Sequence, residues 1–159
     1  MYYLFPFFKW CDNTWIAQTI RGSKYIFPVV EAIHLLGLTV LLGVMVIMSL
    51  RLFGFILRHE STRDVATDLR PYAWTSIGTM LVTGYLLFAS EALKCYDSPS
   101  FRFKMVCLIL ALVFQFTVYH KATTSDKADS SPGFARITAI LALVLWFGVG
   151  LGGRAIGFL

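Results

Sequence analysis

Four stretches of almost unbroken apolar sequence constrain this chain more than any other feature. An α-helix rises about 1.5 Å per residue and the hydrocarbon core of a bilayer is about 30 Å thick, so roughly 20 apolar residues cross it. Polar breaks cut the sequence into segments of that size at about 26–50, 72–90, 103–120 and 135–158. Pro28 suits a first helical turn, where its missing N–H is unneeded. The breaks carry Pro71, Asp97-Ser-Pro-Ser100 and Ser130-Ser-Pro-Gly133, which interrupt helices, so the second span is expected to open at Pro71 and to form an antiparallel hairpin with the third.

Composition agrees. Hydrophobic residues make up 57% of the 159 and charged residues 14%, where a soluble domain averages about a quarter charged. The expected fold class is an all-α membrane protein, a four-helix transmembrane bundle with a short N-terminal interfacial helix. Residues 1–24 form the arm and 25–159 a single transmembrane domain. In the arm, Trp15, Ile16, Thr19 and Ile20 share one side of a helix opposite polar groups, which suits the headgroup region. The first nine residues lack a basic leader and a small-residue cleavage site, and are expected to be retained.

The net charge of +5 comes from Lys and Arg scattered through every polar segment. No basic stripe with interleaved aromatics is present, so nucleic acid is not an expected partner; the lipid bilayer is. Cys11, Cys95 and Cys107 have no zinc-ligand spacing. Arg51, Arg58, Arg63, Arg70, Lys121, Lys127 and Arg136 fall on one side, against Lys9, Arg21, Lys24, Lys94 and Arg102 on the other. The positive-inside rule then favours an external N-terminus. Cys11 and Cys95 would share the oxidising face, either as a disulfide or as two unrelated thiols.

Ionisable residues inside spans cost a few kcal/mol at the helix centre on insertion scales and mark functional positions. Glu31, His34 and Gly37 recur at helical spacing in the first span, with His34 about 12 Å below the boundary by helical rise. Glu91, Lys104 and Arg154 fall near the same boundary on the other three spans, forming one polar layer. Gly84, beside the Thr75, Thr79, Thr83 series, and the glycines at 148, 150, 152 and 153 thin their helices, for close packing or for a flat cofactor.

Three readings follow. His34 serves as an axial ligand to haem b between the helices, with Arg154, Lys104 or Arg102 near the propionates; or Glu31, His34 and Arg154 bind a quinone or conduct protons; or the layer holds helices together in a structural or accessory subunit of a larger complex or homo-oligomer. His120 is the other candidate metal ligand, but it lies about 15 Å from His34 along the membrane normal by helical rise, too far to share one iron. A single-histidine haem would need an open position or a Met80 or Tyr85 ligand; alternatively His120, with His59 near the same boundary, would serve a second site. The lone Glu31-x-x-His34 element does not make a di-iron site, which needs the element twice with two further carboxylates. No loop exceeds about 20 residues and no nucleophile and base converge outside the membrane, so a stand-alone enzyme is not expected.

The segments Phe27-Pro-Val-Val-Glu-Ala-Ile-His-Leu-Leu-Gly37, Leu50-Arg-Leu-Phe-Gly54, Pro71-Tyr-Ala-Trp74, Ser100-Phe-Arg-Phe-Lys104, Tyr119-His120 and Gly153-Arg154 resemble a family of small bacterial four-span membrane proteins classed as a domain of unknown function. The resemblance runs from Trp15 to Arg154. It implies a four-span topology in a bacterial inner membrane, with Glu31, His34, Lys104, His120 and Arg154 mattering together. The family's pattern places an aspartate before the first of these arginines, where Ser49 and Leu50 stand here.

Overall fold

The computed structural model describes residues 5–57, 59–124 and 131–156. Two short helices, α1 (Phe5–Asp12) and α2 (Trp15–Gly22), precede α3 (Ile26–Phe53) and α4 (Thr62–Ser90). A six-residue α5 (Ala92–Asp97) leads into α6 (Pro99–Phe114), which continues through a π-helical turn (Gln115–Tyr119) into α7 (His120–Thr124). The last helix, α8, covers Pro132–Ile156. No strand occurs among the described residues, and four helices are long and apolar enough to cross a membrane: Ile26–Phe53, Thr62–Ser90, Pro99–Thr123 and Pro132–Arg154. Residues 157–159 of the expected fourth span, and 125–130 of the loop before it, lie outside the described residues.

The helix ends follow local chemistry. At the N-terminus of α4, Asp64 N–H donates to Ser61 Oγ at 3.0 Å while that hydroxyl donates to Asp64 Oδ2 at 2.6 Å, a reciprocal cap for groups that otherwise lack partners. Gly54 ends α3 in the left-handed region at φ 78°, and Phe55 N–H reaches back to the Leu50 carbonyl at 3.0 Å, which closes the last turn as a Schellman motif. Ser98 caps α6, with Pro99 at its first position.

One boundary differs from expectation. Pro71 does not open the second span; it lies inside α4, which begins at Thr62. The helix survives because Pro71 removes only one backbone donor, and Thr67 and Arg70 of the preceding turn are exposed, where water can reach a freed carbonyl. Thr62 to Arg70, about two and a half turns, therefore extend α4 beyond its apolar stretch.

Helix α3 is the centre of the bundle and packs against both α4 and α8, and α8 packs in turn against α6. The core is Leu41, Val44, Met45 and Met48 of α3, Ile77 and Met80 of α4, and Ala139, Ala142, Trp146 and Val149 of α8. Small residues on α8 let the helices approach closely where lipid supplies no hydrophobic drive of its own. The expected hairpin of the second and third spans is antiparallel but packs only toward its ends: α7 lies against α4, and Phe88 meets Phe101 at the arm end, whereas α4 and α6 scarcely touch between them. In the third span only 6% of the apolar window is buried, against 33%, 39% and 33% in the others.

The N-terminal arm folds over the end of the bundle where α4 finishes. Arg21 donates to Asp12 Oδ1 at 2.6 Å and to the Ser90 carbonyl at 3.1 Å, fastening α2 to both α1 and α4. Phe8 meets Phe88 and Tyr96, each with ring centroids 5.3 Å apart, and Phe88 stacks on Phe101 at 5.4 Å. Trp10, Trp15 and Tyr25 remain exposed, as interfacial anchors do.

Cys11 and Cys95 are buried free thiols, not a disulfide. Burial, reinforced by the nearby Glu91 carboxylate, pushes the Cys95 thiol up to about 11, and burial also raises Cys11. The thiolate is the reactive form, so both are poor nucleophiles near neutrality. Maleimide at a pH of about 7.5 is expected to label Cys95 far more slowly in the folded protein than after denaturation, with the folded rate climbing steeply as pH approaches about 11. Equal rates in the two states would contradict this burial.

Candidate functional site: a cleft between the second and third spans

The gap left between α4 and α6 is a cleft of about 370 Å³, at the lower end of the range usual for small-molecule sites. His34 and Leu41 of α3 and Trp146 and Val149 of α8 form its floor, Met80 and Gly84 belong to the α4 wall, and Lys104 and Leu108 to the α6 wall. Phe7, Phe8, Phe88 and Phe101 close the end beneath the arm. Leu81, Tyr85 and Met105 also line it yet are well exposed, so its mouth opens sideways between α4 and α6, toward lipid.

His34 is the buried polar group of this floor, held by a short chain of hydrogen bonds. Thr83 Oγ1 lies 2.6 Å from the Thr79 carbonyl and 2.8 Å from His34 Nδ1. A hydroxyl has one proton, and a carbonyl can only accept, so Thr83 donates to Thr79 and is left as an acceptor toward the ring. Nδ1 must therefore be the protonated nitrogen. A neutral imidazole held this way carries its lone pair on Nε2.

Gly84 makes the arrangement sterically possible. A Cβ there would sit 3.2 Å from His34 Cε1 and 3.8 Å from Nδ1. Gly37 works differently, because a Cβ on it would press on Met80 Cγ at 3.2 Å, so it serves α3–α4 packing. Gly152 and Gly153 let Lys104 lie along α8, with Lys104 Nζ 3.3 Å from where a Gly153 Cβ would stand. The lysine thus shares the cleft with the imidazole.

The expected polar layer is only partly assembled. His34 and Lys104 line the cleft, whereas Glu31 and Arg154 are exposed and do not. The covered stripe of α3 runs Val30, His34, Gly37, Leu41, so Glu31 lies one position off it and is exposed. On α8 the stripe runs Ala142, Trp146, Val149, Gly152, and Arg154 again falls outside. Glu91 pairs with Lys94 at 3.4 Å on the surface. His120 belongs to a separate, smaller pocket toward the opposite end, and His59 lies in the exposed connection before α4. Among the described residues no group of three His, Cys, Asp or Glu side chains converges as a metal site.

Sequence spacing does not single out Thr83 or Trp146 as site residues. Thr83 belongs to a hydroxylated stripe and stands next to Gly84, which is the one hint of its place. Trp146 has no signal beyond being a large aromatic in a thinned helix.

Fold and cleft together define a multi-pass helical membrane protein with an intramembrane, laterally open pocket. The chain belongs to DUF6644, a family of unknown function whose profile matches residues 7–159. No curated protein and no solved structure is significantly similar to it.

If Gly84 is the seat of the imidazole, Gly84→Leu should displace the ring from Thr83, whereas Gly78→Leu, on the same helix with nothing within 4 Å of its would-be Cβ, should be tolerated. Thermal unfolding in detergent checks this, with a loss on the order of 1–3 kcal/mol expected for the first variant only. Equal melting of the two variants would contradict the assignment.

Proposed function

We propose that this protein is a membrane redox protein that holds haem b in the α4–α6 cleft, with His34 Nε2 as an axial ligand. The observation that carries the reading is the Thr79–Thr83–His34 chain. Fixing the proton on Nδ1 is how proteins orient an imidazole and raise its basicity toward a metal, and histidine is a standard haem-iron ligand. Gly84 provides the space for that ring, and the apolar walls suit a macrocycle. Lys104 is the residue for a propionate. Met80 and Tyr85 line the same cleft and would be the further residues available to hold the group. Bound haem would supply one-electron transfer; the chain's own part is to bind, orient and shield it.

Two observations favour a second reading, a quinone headgroup in the same cleft. The mouth faces lipid, the route by which an isoprenoid tail would leave, and His34 and Lys104 offer an acceptor and a donor to a carbonyl–hydroxyl pair. The barely buried third span supports docking against a larger membrane complex or another copy of the chain. The charge balance of the loops supports an external N-terminus in a bacterial inner membrane.

Protein purified in detergent from cells supplied with haem should show a Soret band that shifts on adding dithionite. His34→Ala should lose it, and Lys104→Gln should weaken haem retention while keeping the spectrum. A colourless wild-type preparation would overturn the haem reading, and organic extraction of that preparation would then test for retained quinone.

A further inference from the structure

A second, smaller space lies away from the arm, between α4 and the π turn of the third span. It measures about 80 Å³ and shares only Ile77 with the lining of the cleft. Arg70 of α4, Gln115 and Tyr119 of the π turn, and His120 of α7 contribute to its polar lining, and no Asp or Glu lines it. Thr67 and Thr123 line it too, but their hydroxyls are spent on carbonyls one turn back. Three of the other groups keep hydrogen-bonding capacity that the protein leaves unused. The Arg70 guanidinium is exposed and makes no hydrogen bond or ion pair among the described residues. Gln115 Oε1 is buried without a partner. Tyr119 is only 6% exposed, and its hydroxyl likewise has no partner among the described residues, although a buried phenol normally finds one.

We infer that this pocket holds the phosphate of an anionic phospholipid, taken between Arg70 and Tyr119 at the membrane face where α4 begins. Charge selects the anion: with no acid in the lining, the Arg70 guanidinium is unopposed, and its planar fork of N–H donors matches phosphate oxygens. Size selects a headgroup. The space equals two or three waters at about 30 Å³ each, so a phosphate enters it while the rest of a lipid stays outside. The surroundings provide for that rest. Trp74 stands one turn beyond Arg70, into the apolar stretch of α4, and meets Phe116 with ring centroids 5.3 Å apart. Both rings line the pocket and are about half exposed, as aromatic side chains at headgroup level are. Gln115 Oε1 can only accept, which favours a headgroup carrying hydroxyls beside its phosphate, as phosphoglycerol does. Gln115 opens the π turn and Tyr119 closes it, and single π turns inside α-helices recur at functional positions. Basic pockets between spans are a recurring form of lipid-headgroup site. The inference is independent of what occupies the cleft.

The test is thermal unfolding of delipidated protein in detergent, with phosphatidylglycerol, phosphatidylcholine or inorganic phosphate added, on variants that elute as wild type on gel filtration. Phosphatidylglycerol should raise the melting temperature of the wild type in a saturable way, and the other two at the same concentration should not. Arg70→Gln should raise the half-saturating lipid concentration about fivefold, the effect of one basic residue at an anionic lipid surface. Tyr119→Phe, which removes only the hydroxyl, should raise it as well. Arg63 is exposed on the same helix but does not line the pocket, so Arg63→Gln should leave it unchanged. No saturable stabilisation by phosphatidylglycerol, equal stabilisation by phosphatidylcholine, or an equal weakening in Arg63→Gln would overturn the inference. Stabilisation by inorganic phosphate alone, lost in Arg70→Gln, would assign the pocket to the free anion and overturn the lipid.

Discussion

In hydrocarbon no solvent completes a hydrogen bond, and the rest of this structure depends on that. Backbone groups are satisfied within helices, and side-chain hydroxyls turn onto their own backbone. Thr39 bonds the Leu35 carbonyl, Thr75 that of Pro71, Thr117 that of Val113 and Thr123 that of Tyr119. Thr83 does the same with Thr79. The difference is that Thr83 meets an imidazole. Having spent its only proton at home, it becomes a pure acceptor and thereby dictates the tautomer of His34.

The bundle's topology turns that local fact into a site. Because α3 and α8 form the packed centre while α4 and α6 stay apart, the face of α3 that bears His34 is covered from two sides and open along the third. The aromatic cluster of Phe8, Phe88 and Phe101 closes the end nearest the arm, and Arg21 ties that arm down through Asp12 and Ser90. What results is an apolar slot whose mouth opens sideways between α4 and α6. His34 sits on a helix, not a loop, and its ring is backed by Gly84 and Thr83, the rigid support that a cofactor ligand needs.

The four spans were legible because length and apolarity dictate them almost alone. The start of α4 was not legible: Pro71 reads locally as a helix opener, and only the Ser61–Asp64 cap, well upstream of it, reveals the true beginning. The site was half legible. Helical spacing put Glu31 beside His34, but the packed stripe passes through Val30, and which of two adjacent positions faces a neighbour is decided by where that neighbour lies. The same ambiguity moved Arg154 outward while Lys104 stayed in. Nothing in the sequence separates α4 from α6, since consecutive antiparallel spans ordinarily pack together; the cleft therefore had no sequence signal.

Everything proposed for the cleft turns on the protonation of one ring, and side-chain nitrogen chemical shifts of His34 measure it directly in ligand-free protein isotopically labelled at histidine. Loss of one signal in His34→Gln supplies the assignment. A proton on Nδ1, with Nε2 resonating as an unprotonated nitrogen, is the predicted result. A proton on Nε2 with Nδ1 bare would contradict it, because Thr83 would then be donating to His34 and the lone pair offered to the cleft would be gone.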